Sequence, residues 1–157
     1  QHNRVRRQRQ MCIRDRAHYF YNLASGCTYL YMLQNKHANF SQLLDGGQSS
    51  SEWAVNTAEG ANYWVKRAII LEDLLVKDFH IKPEQIVNYK ETQIANLNTF
   101  FMENFMEVDI REYFTRILGS TAYCVAGLDA MEEFLKLAES NMNQNSVPQS
   151  DKPKRKM

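Results

Sequence analysis

The sequence contains few of the residues that interrupt helices. Only 3 prolines and 6 glycines occur among its 157 residues, so long stretches can remain helical without a break. No run of about 18 apolar residues is present, which excludes a membrane-spanning helix within this sequence. No segment alternates apolar and polar residues as a half-buried strand does. These absences favour an all-helical domain.

The sequence also lacks the spacings that cofactor and catalytic sites require. No histidine follows a glutamate by three residues, as the di-iron bundles need, and no Cys-x-x-Cys pair exists for zinc or haem. Gly46-Gly47 has no phosphate-binding lysine and follows no strand. We therefore expect no metal, no cofactor and no catalytic residue. Three acidic pairs are interpreted as solvated helix surface: Glu72 with Asp73, Glu103 with Glu107, and Glu132 with Glu133.

The most unusual segment is residues 6–16, RRQRQMCIRDR. Its eleven residues are similar to the translation, in one frame, of a transposase-type sequencing adapter. We interpret residues 1–16 as an adapter-derived leader that is not native, and we expect it to be disordered. The native start of the chain, with any export signal, would then have been overwritten.

Charge is distributed unevenly along the chain, although the formal net charge is only +1. Residues 1–16 contain six arginines and one acid, whereas residues 17–146 contain nine basic and sixteen acidic residues, a net charge of −7. An acidic body argues against a surface that binds nucleic acid. Residues 141–157 are polar and end in the basic run Lys152–Lys156, which we expect to be a disordered tail.

Four amphipathic segments follow the leader, and together they predict an antiparallel up-down bundle of about four helices over residues 17–140. The first spans residues 17–44. The second begins with the capping box Ser49–Glu52 and carries Lys77 and His80 in its last turn. The third begins at Pro83, because proline suits the first turn of a helix. The fourth begins at a second capping box, Asp109 with Glu112.

The fourth segment has the most regular apolar pattern. Two adjacent columns repeat every seven residues, which is typical of a helix packed in a bundle. One column contains Ile110, Ile117, Cys124, Met131 and Ala138, and the other contains Phe114, Thr121, Leu128 and Leu135.

Cys27 and Cys124 each lie in the middle of an apolar face, on the first and the last predicted helix. One interpretation is a disulfide that joins the two ends of the domain, which would require Cα atoms about 4.4–6.8 Å apart. The other is a pair of buried thiols, since free cysteine behaves as a small apolar residue. The sequence leaves both open.

The sequence contains more aromatic residues than one narrow apolar helix face requires. Tyrosine and tryptophan are enriched at protein interfaces, so a surface for a protein partner or for self-association is one interpretation. A broad core with a tyrosine rim is the other. The candidate interaction patch consists of Tyr19, Tyr29, Tyr31, Tyr63 and Trp64.

Residues 23–33 and 121–134 resemble segments of small periplasmic helical proteins, a likeness that transfers no role to any residue. The leading hypothesis is a non-enzymatic bundle with a structural or protein-interaction role, exported to a bacterial periplasm. The alternative is a cytosolic or phage-encoded adaptor that binds nucleic acid through its basic C-terminal tail.

Overall fold

The computed structural model describes residues 2–44, 46, 51–105 and 108–145, and within these ranges it contains four α-helices and no strand. The predicted all-α fold is therefore confirmed. Within the described residues, no helix has both the length and the hydropathy that crossing a bilayer requires. The helices are α1 (His2–Leu44), α2 (Ser51–Lys77), α3 (Pro83–Phe105) and α4 (Ile110–Asn145).

Helix α1 begins at His2, so the structure differs from the expected disorder of the leader. Arginine, glutamine and methionine are good helix formers, and no glycine or proline separates the leader from residue 17. Met11 and Cys12 are exposed, and Ala17 is the first buried residue among the side chains described. Helix α4 continues to Asn145, past the predicted bundle end at residue 140, and residues 146–157 lie outside the described residues.

Local signals explain several helix ends. Pro83 is the first residue of α3, as predicted. Asp109 caps α4 by accepting hydrogen bonds from the backbone N–H groups of Arg111 and Glu112, at 2.9 and 3.0 Å. His80 lies outside α2, contrary to the prediction, because α2 ends at Lys77 and His80 adopts a left-handed backbone with φ of 54°.

Helices α1 and α2 pack along each other with their residues in opposite order. Near the end of α1, the Asn35 side chain donates a hydrogen bond to the Ala54 carbonyl oxygen at 2.7 Å. One turn earlier in α1, the ring of Tyr31 lies against Gly60, where a Cβ atom would overlap it. The contact requires glycine, and it brings the two helix backbones close together.

Contacts of α1 with the other helices follow a consistent order. Towards α3 the order is the same in both helices, since Asn22 meets Tyr89 and Tyr29 meets Asn98. Towards α4 the order is reversed, since Cys27 meets Cys124 and Gln34 meets Thr121. This is the order expected of the predicted up-down arrangement in the part of the chain before residue 125.

In the sequence, one apolar face of α1 is predicted by residues that recur at three- and four-residue steps: Phe20, Leu23, Cys27, Leu30 and Tyr31. The observed buried face follows helical spacing but is shifted from this set. Leu23, Leu30 and Tyr31 are only half-buried, whereas small residues and Tyr21 fill the interior. Small side chains let helices approach closely, so the shift follows from backbone packing. The buried α1 residues are Ala17, Phe20, Tyr21, Ala24, Cys27, Gln34 and Ala38.

The first heptad column of α4 is confirmed in its middle, where Ile117, Cys124 and Met131 are all buried. The structure divides within α4, and one compact unit ends at Cys124 while a second begins at Val125. In the second unit Phe134 and Leu135 are buried as well. The side chains of Ile110 and Phe114 lie outside the described residues, and the predicted domain bounds 1–16, 17–140 and 141–157 stay predictions.

Candidate functional site

Cys27 and Cys124 lie at disulfide-bonding distance, with Cα atoms 5.7 Å apart. This separation falls within the range that a disulfide requires. The two residues are 97 positions apart, and only 2% of Cys27 and 1% of Cys124 is exposed. The pair therefore connects α1 to α4 from the interior, while Cys12 is a free and exposed cysteine.

The surroundings of the cysteine pair explain why the helices meet there. Ile117, two turns before Cys124, packs against Tyr29, Leu30 and Leu33 of α1. On the same side, Gln34 is buried and its side-chain amide donates to the Thr121 hydroxyl at 3.3 Å. Apolar burial and one satisfied polar contact together position α1 against this part of α4.

A histidine–tyrosine pair joins the same two helices near the start of α4. Nε2 of His37 and the hydroxyl of Tyr113 are 2.5 Å apart, and the two rings meet edge to face. Burial, aided by the nearby Lys36 charge, lowers the pKa of His37. Burial, followed by the neighbouring Tyr29, raises the pKa of Tyr113. Both groups are thus held in their neutral forms.

The members of the candidate interaction patch differ in exposure. Trp64 is only 3% exposed and belongs to the core, which corrects its assignment to a surface patch. Tyr31 is half-buried against Gly60, and Tyr29 donates a hydrogen bond to Asn98 at 3.1 Å. Tyr19 is 62% exposed. The burial of Trp64 favours the other interpretation of these aromatic residues, a broad core with a tyrosine rim.

Tyr63 lies between the core and the solvent. Its ring meets Trp64 edge to face, with centroids 5.4 Å apart, and the Arg67 guanidinium lies 4.3 Å from its centroid. A cation over an aromatic face is attracted by the ring quadrupole. Tyr63 therefore anchors a local cluster on α2.

A cavity of about 280 Å³ lies between α1, α2 and α3, and we call it the three-helix cavity. Its lining is mainly apolar and comes from all three helices. Representative lining residues are Tyr21 and Ser25 of α1, Ala68 and Ile69 of α2, and Gln93 and Ile94 of α3. Because Ile69 and Ile94 are 57% and 54% exposed, the cavity reaches the surface.

A polar network lies beside the three-helix cavity. Oδ1 of Asn22 accepts hydrogen bonds from the Tyr89 hydroxyl and from Nε2 of Gln93, the latter at 2.5 Å. Oε1 of Gln93 is buried and has no hydrogen-bond partner within the described part of the chain. His18 meets the Tyr89 ring edge to face, and burial, with a smaller contribution from Arg14, lowers the pKa of His18.

One charged pair also lines the cavity. The Lys90 ammonium of α3 is 2.5 Å from a carboxylate oxygen of Glu72 on α2, so the two charges neutralise each other. The buried Tyr21 is affected by Glu72: burial, and then the Glu72 charge, raises the pKa of Tyr21 to about 12. The phenol therefore stays neutral and acts as a hydrogen-bonding group.

Among the described residues, no group of three or more potential metal ligands is present. The predicted basic partner site, Lys152–Lys156, lies outside the described residues. Sequence reasoning missed the three-helix cavity because no single helix shows it. The sequence offered one signal: the apolar residues of α2 are more than a single helical stripe needs, as at the neighbouring Ile69 and Ile70.

Over its described residues the chain is an all-α protein with four helices. No protein-family model matches the chain, and neither a curated protein nor a solved structure matches it significantly.

Proposed function

We propose that this chain is a small, non-enzymatic antiparallel helical bundle with a structural or protein-interaction role in an oxidising compartment, such as a bacterial periplasm. The observation that carries the proposal is the pairing of Cys27 with Cys124 across the α1–α4 contact. Disulfides persist in exported proteins and are rare where cytosolic reductants keep thiols reduced.

The position of the cysteine pair supports a mechanical role. A bridge across 97 residues contributes about 4–5 kcal/mol in the chain-entropy model, because it restricts the unfolded chain. It also fixes the first helix to the last described one, so the intervening α2 and α3 lie within the closed loop. Such a bridge holds the middle of α1 against the middle of α4.

Ion pairs between acidic and basic side chains support a non-enzymatic role. Asp73 is paired with Lys77 at 2.9 Å, and Glu112 with Arg116 at 2.5 Å. In each pair the two residues are four positions apart on an exposed face of one helix, α2 for the first pair and α4 for the second. This arrangement adds modestly to helix stability. These carboxylates are stabilising surface groups in this proposal.

Exposed aromatic residues supply contact surface for a protein partner. Tyr19 and Phe40 of α1 and Tyr123 of α4 are all more than half exposed. Aromatic side chains provide large contact areas at interfaces at a low entropy cost. Among the members of the sequence-derived patch, Tyr19 remains the strongest candidate.

The proposal is tested by expressing the full chain both with a cleavable export signal and in a reducing cytosol. Natively purified protein is alkylated without reductant and weighed as the intact chain. We expect the exported protein to take one label, on Cys12, and to take three labels only after reduction and unfolding. A matched Cys12→Ser variant should take none before reduction. Three labels on unfolded but unreduced exported protein would refute the proposal.

A further inference from the structure

The three-helix cavity has the size of a small-ligand site. An apolar cavity of about 150 Å³ accommodates benzene, and the three-helix cavity has about 280 Å³. This volume corresponds to about two fused aromatic rings. Four apolar side chains with substantial exposure line the cavity where it reaches the surface, and such patches mark binding sites. They are Met32, Val65, Ile69 and Ile94.

The polar groups of the cavity restrict the charge of the ligand. Glu72 and Lys90 are already paired at 2.5 Å. A charged ligand would lose its hydration without gaining an opposite charge, because each ion of the pair is neutralised by the other. A neutral ligand avoids this cost.

One polar atom of the lining indicates a hydrogen-bond donor on the ligand. Gln93 lines the cavity, and its Nε2 is committed to Asn22. Its Oε1 is buried and has no partner within the described residues. A buried acceptor without a donor destabilises the folded state by about 1–3 kcal/mol. A ligand N–H or O–H that reaches Oε1 after a small side-chain shift recovers this loss.

We propose that the three-helix cavity binds a neutral, planar aromatic molecule of about two fused rings that carries one N–H or O–H donor. This activity is additional to the structural role and does not depend on the state of the cysteines. The bound molecule packs between Ala68 and Ile94 and donates to Gln93.

The test uses two isomeric probes, 3-methylindole and 1-methylindole, which have the same atoms but differ in the presence of an N–H group. Each is titrated into the full-length protein and followed by calorimetry or ligand-observed NMR. We expect saturable binding of both, with 3-methylindole binding about tenfold more tightly because it alone donates a hydrogen bond. In Gln93→Met the two probes should bind equally.

Filling the cavity provides the second arm. Ala68→Leu should weaken both probes by at least tenfold, whereas the same change at the exposed Ala95 of α3 should leave binding unaltered. If Ala68→Leu fails to fold, as judged by circular dichroism, Ile69→Glu at the exposed edge of the cavity replaces it, with the same expected loss.

Three results would overturn the proposal. The first is the absence of saturable 3-methylindole binding to the unmodified chain. The second is binding of the probes to Ala68→Leu as tightly as to the unmodified chain. The third is a stable dimer in sedimentation that Ile69→Glu dissociates. The last result would show that a second copy covers the cavity.

Discussion

The ring of Tyr31 occupies the space into which a side chain at residue 60 would extend. An added Cβ would overlap Cδ1 and Cε1 along one edge of the ring, so the whole ring would have to shift to make room. The close approach of α1 and α2 therefore depends on Gly60.

We expect Gly60→Ala to reduce the free energy of unfolding by about 1–3 kcal/mol, because it overpacks this contact. Gly119 is the matched control, since a Cβ there would meet nothing within 4 Å. Gly119→Ala should increase stability by about 0.5–1 kcal/mol, as alanine is the better helix former. Urea unfolding measures both. Equal effects of the two substitutions would show that Tyr31 and Gly60 are not in close contact.

Asp109 caps α4, and we expect Asp109→Ala to cost about 1 kcal/mol of stability because two backbone N–H groups lose their acceptor. Asp109→Asn should retain most of the stability, since asparagine caps nearly as well. The control is Asp129→Ala, which removes an exposed carboxylate from the same helix. Denaturant midpoints that are the same for the alanine variants at 109 and 129 would contradict the capping assignment.

The half-buried His18 and His37 predict that the fold loses stability in mild acid. Burial lowers the pKa of His18 and of His37 below 6.5 in the folded chain. The unfolded chain therefore binds more protons as the pH falls below about 6.5, so stability is fully present above this pH and declines below it.

The measurement is the midpoint of thermal unfolding at pH 8 and at pH 5. The lower pH still lies above the range in which most carboxylates titrate. We expect a smaller drop in the double variant His18→Gln/His37→Gln than in the unmodified chain. The same drop in both proteins would exclude the two histidines as its source.

Tyr21 predicts a complementary loss of stability in alkali. Burial raises its folded pKa to about 12, whereas an unfolded tyrosine ionises near its ordinary value of 10.0. Stability is therefore fully present below pH 10 and is lost as the pH rises from about 10 to about 12. Tyr21→Phe should reduce this loss, because phenylalanine cannot ionise.

The exposed Tyr123 provides the control for this change. Unfolding midpoints between pH 9 and pH 11.5 should depend less on pH in Tyr21→Phe than in Tyr123→Phe. The opposite order would argue against a buried phenol at residue 21.

The sequence carried enough information for the helices because their signals are local. Pro83 and Asp109 mark helix starts through their own backbone and side-chain chemistry. The repeat of Ile117, Cys124 and Met131 identified the buried side of α4 because a heptad depends only on spacing. These features require no knowledge of the other helices.

Features formed between helices could not be read in the same way. The three-helix cavity depends on where Tyr21, Ala68 and Gln93 come together, and each lies on a different helix. The sequence places Trp64 both on an apolar stripe of α2 and in an aromatic patch, and only the packing of the helices shows that it is buried. The adapter-like sequence of residues 1–16 led to the expectation of disorder. These residues are good helix formers, and the structure places residues 2–16 within α1.

The central claim is that Cys27 and Cys124 are covalently joined and close the domain across α1 and α4. Non-reducing peptide mapping of the exported protein, with Cys12→Ser to prevent exchange, tests it most directly. We predict one linked species that contains the Cys27 and Cys124 peptides, and a thermal midpoint that falls by more than about 10 °C on reduction. Two separately alkylated peptides, with no effect of reductant on the midpoint, would contradict the claim.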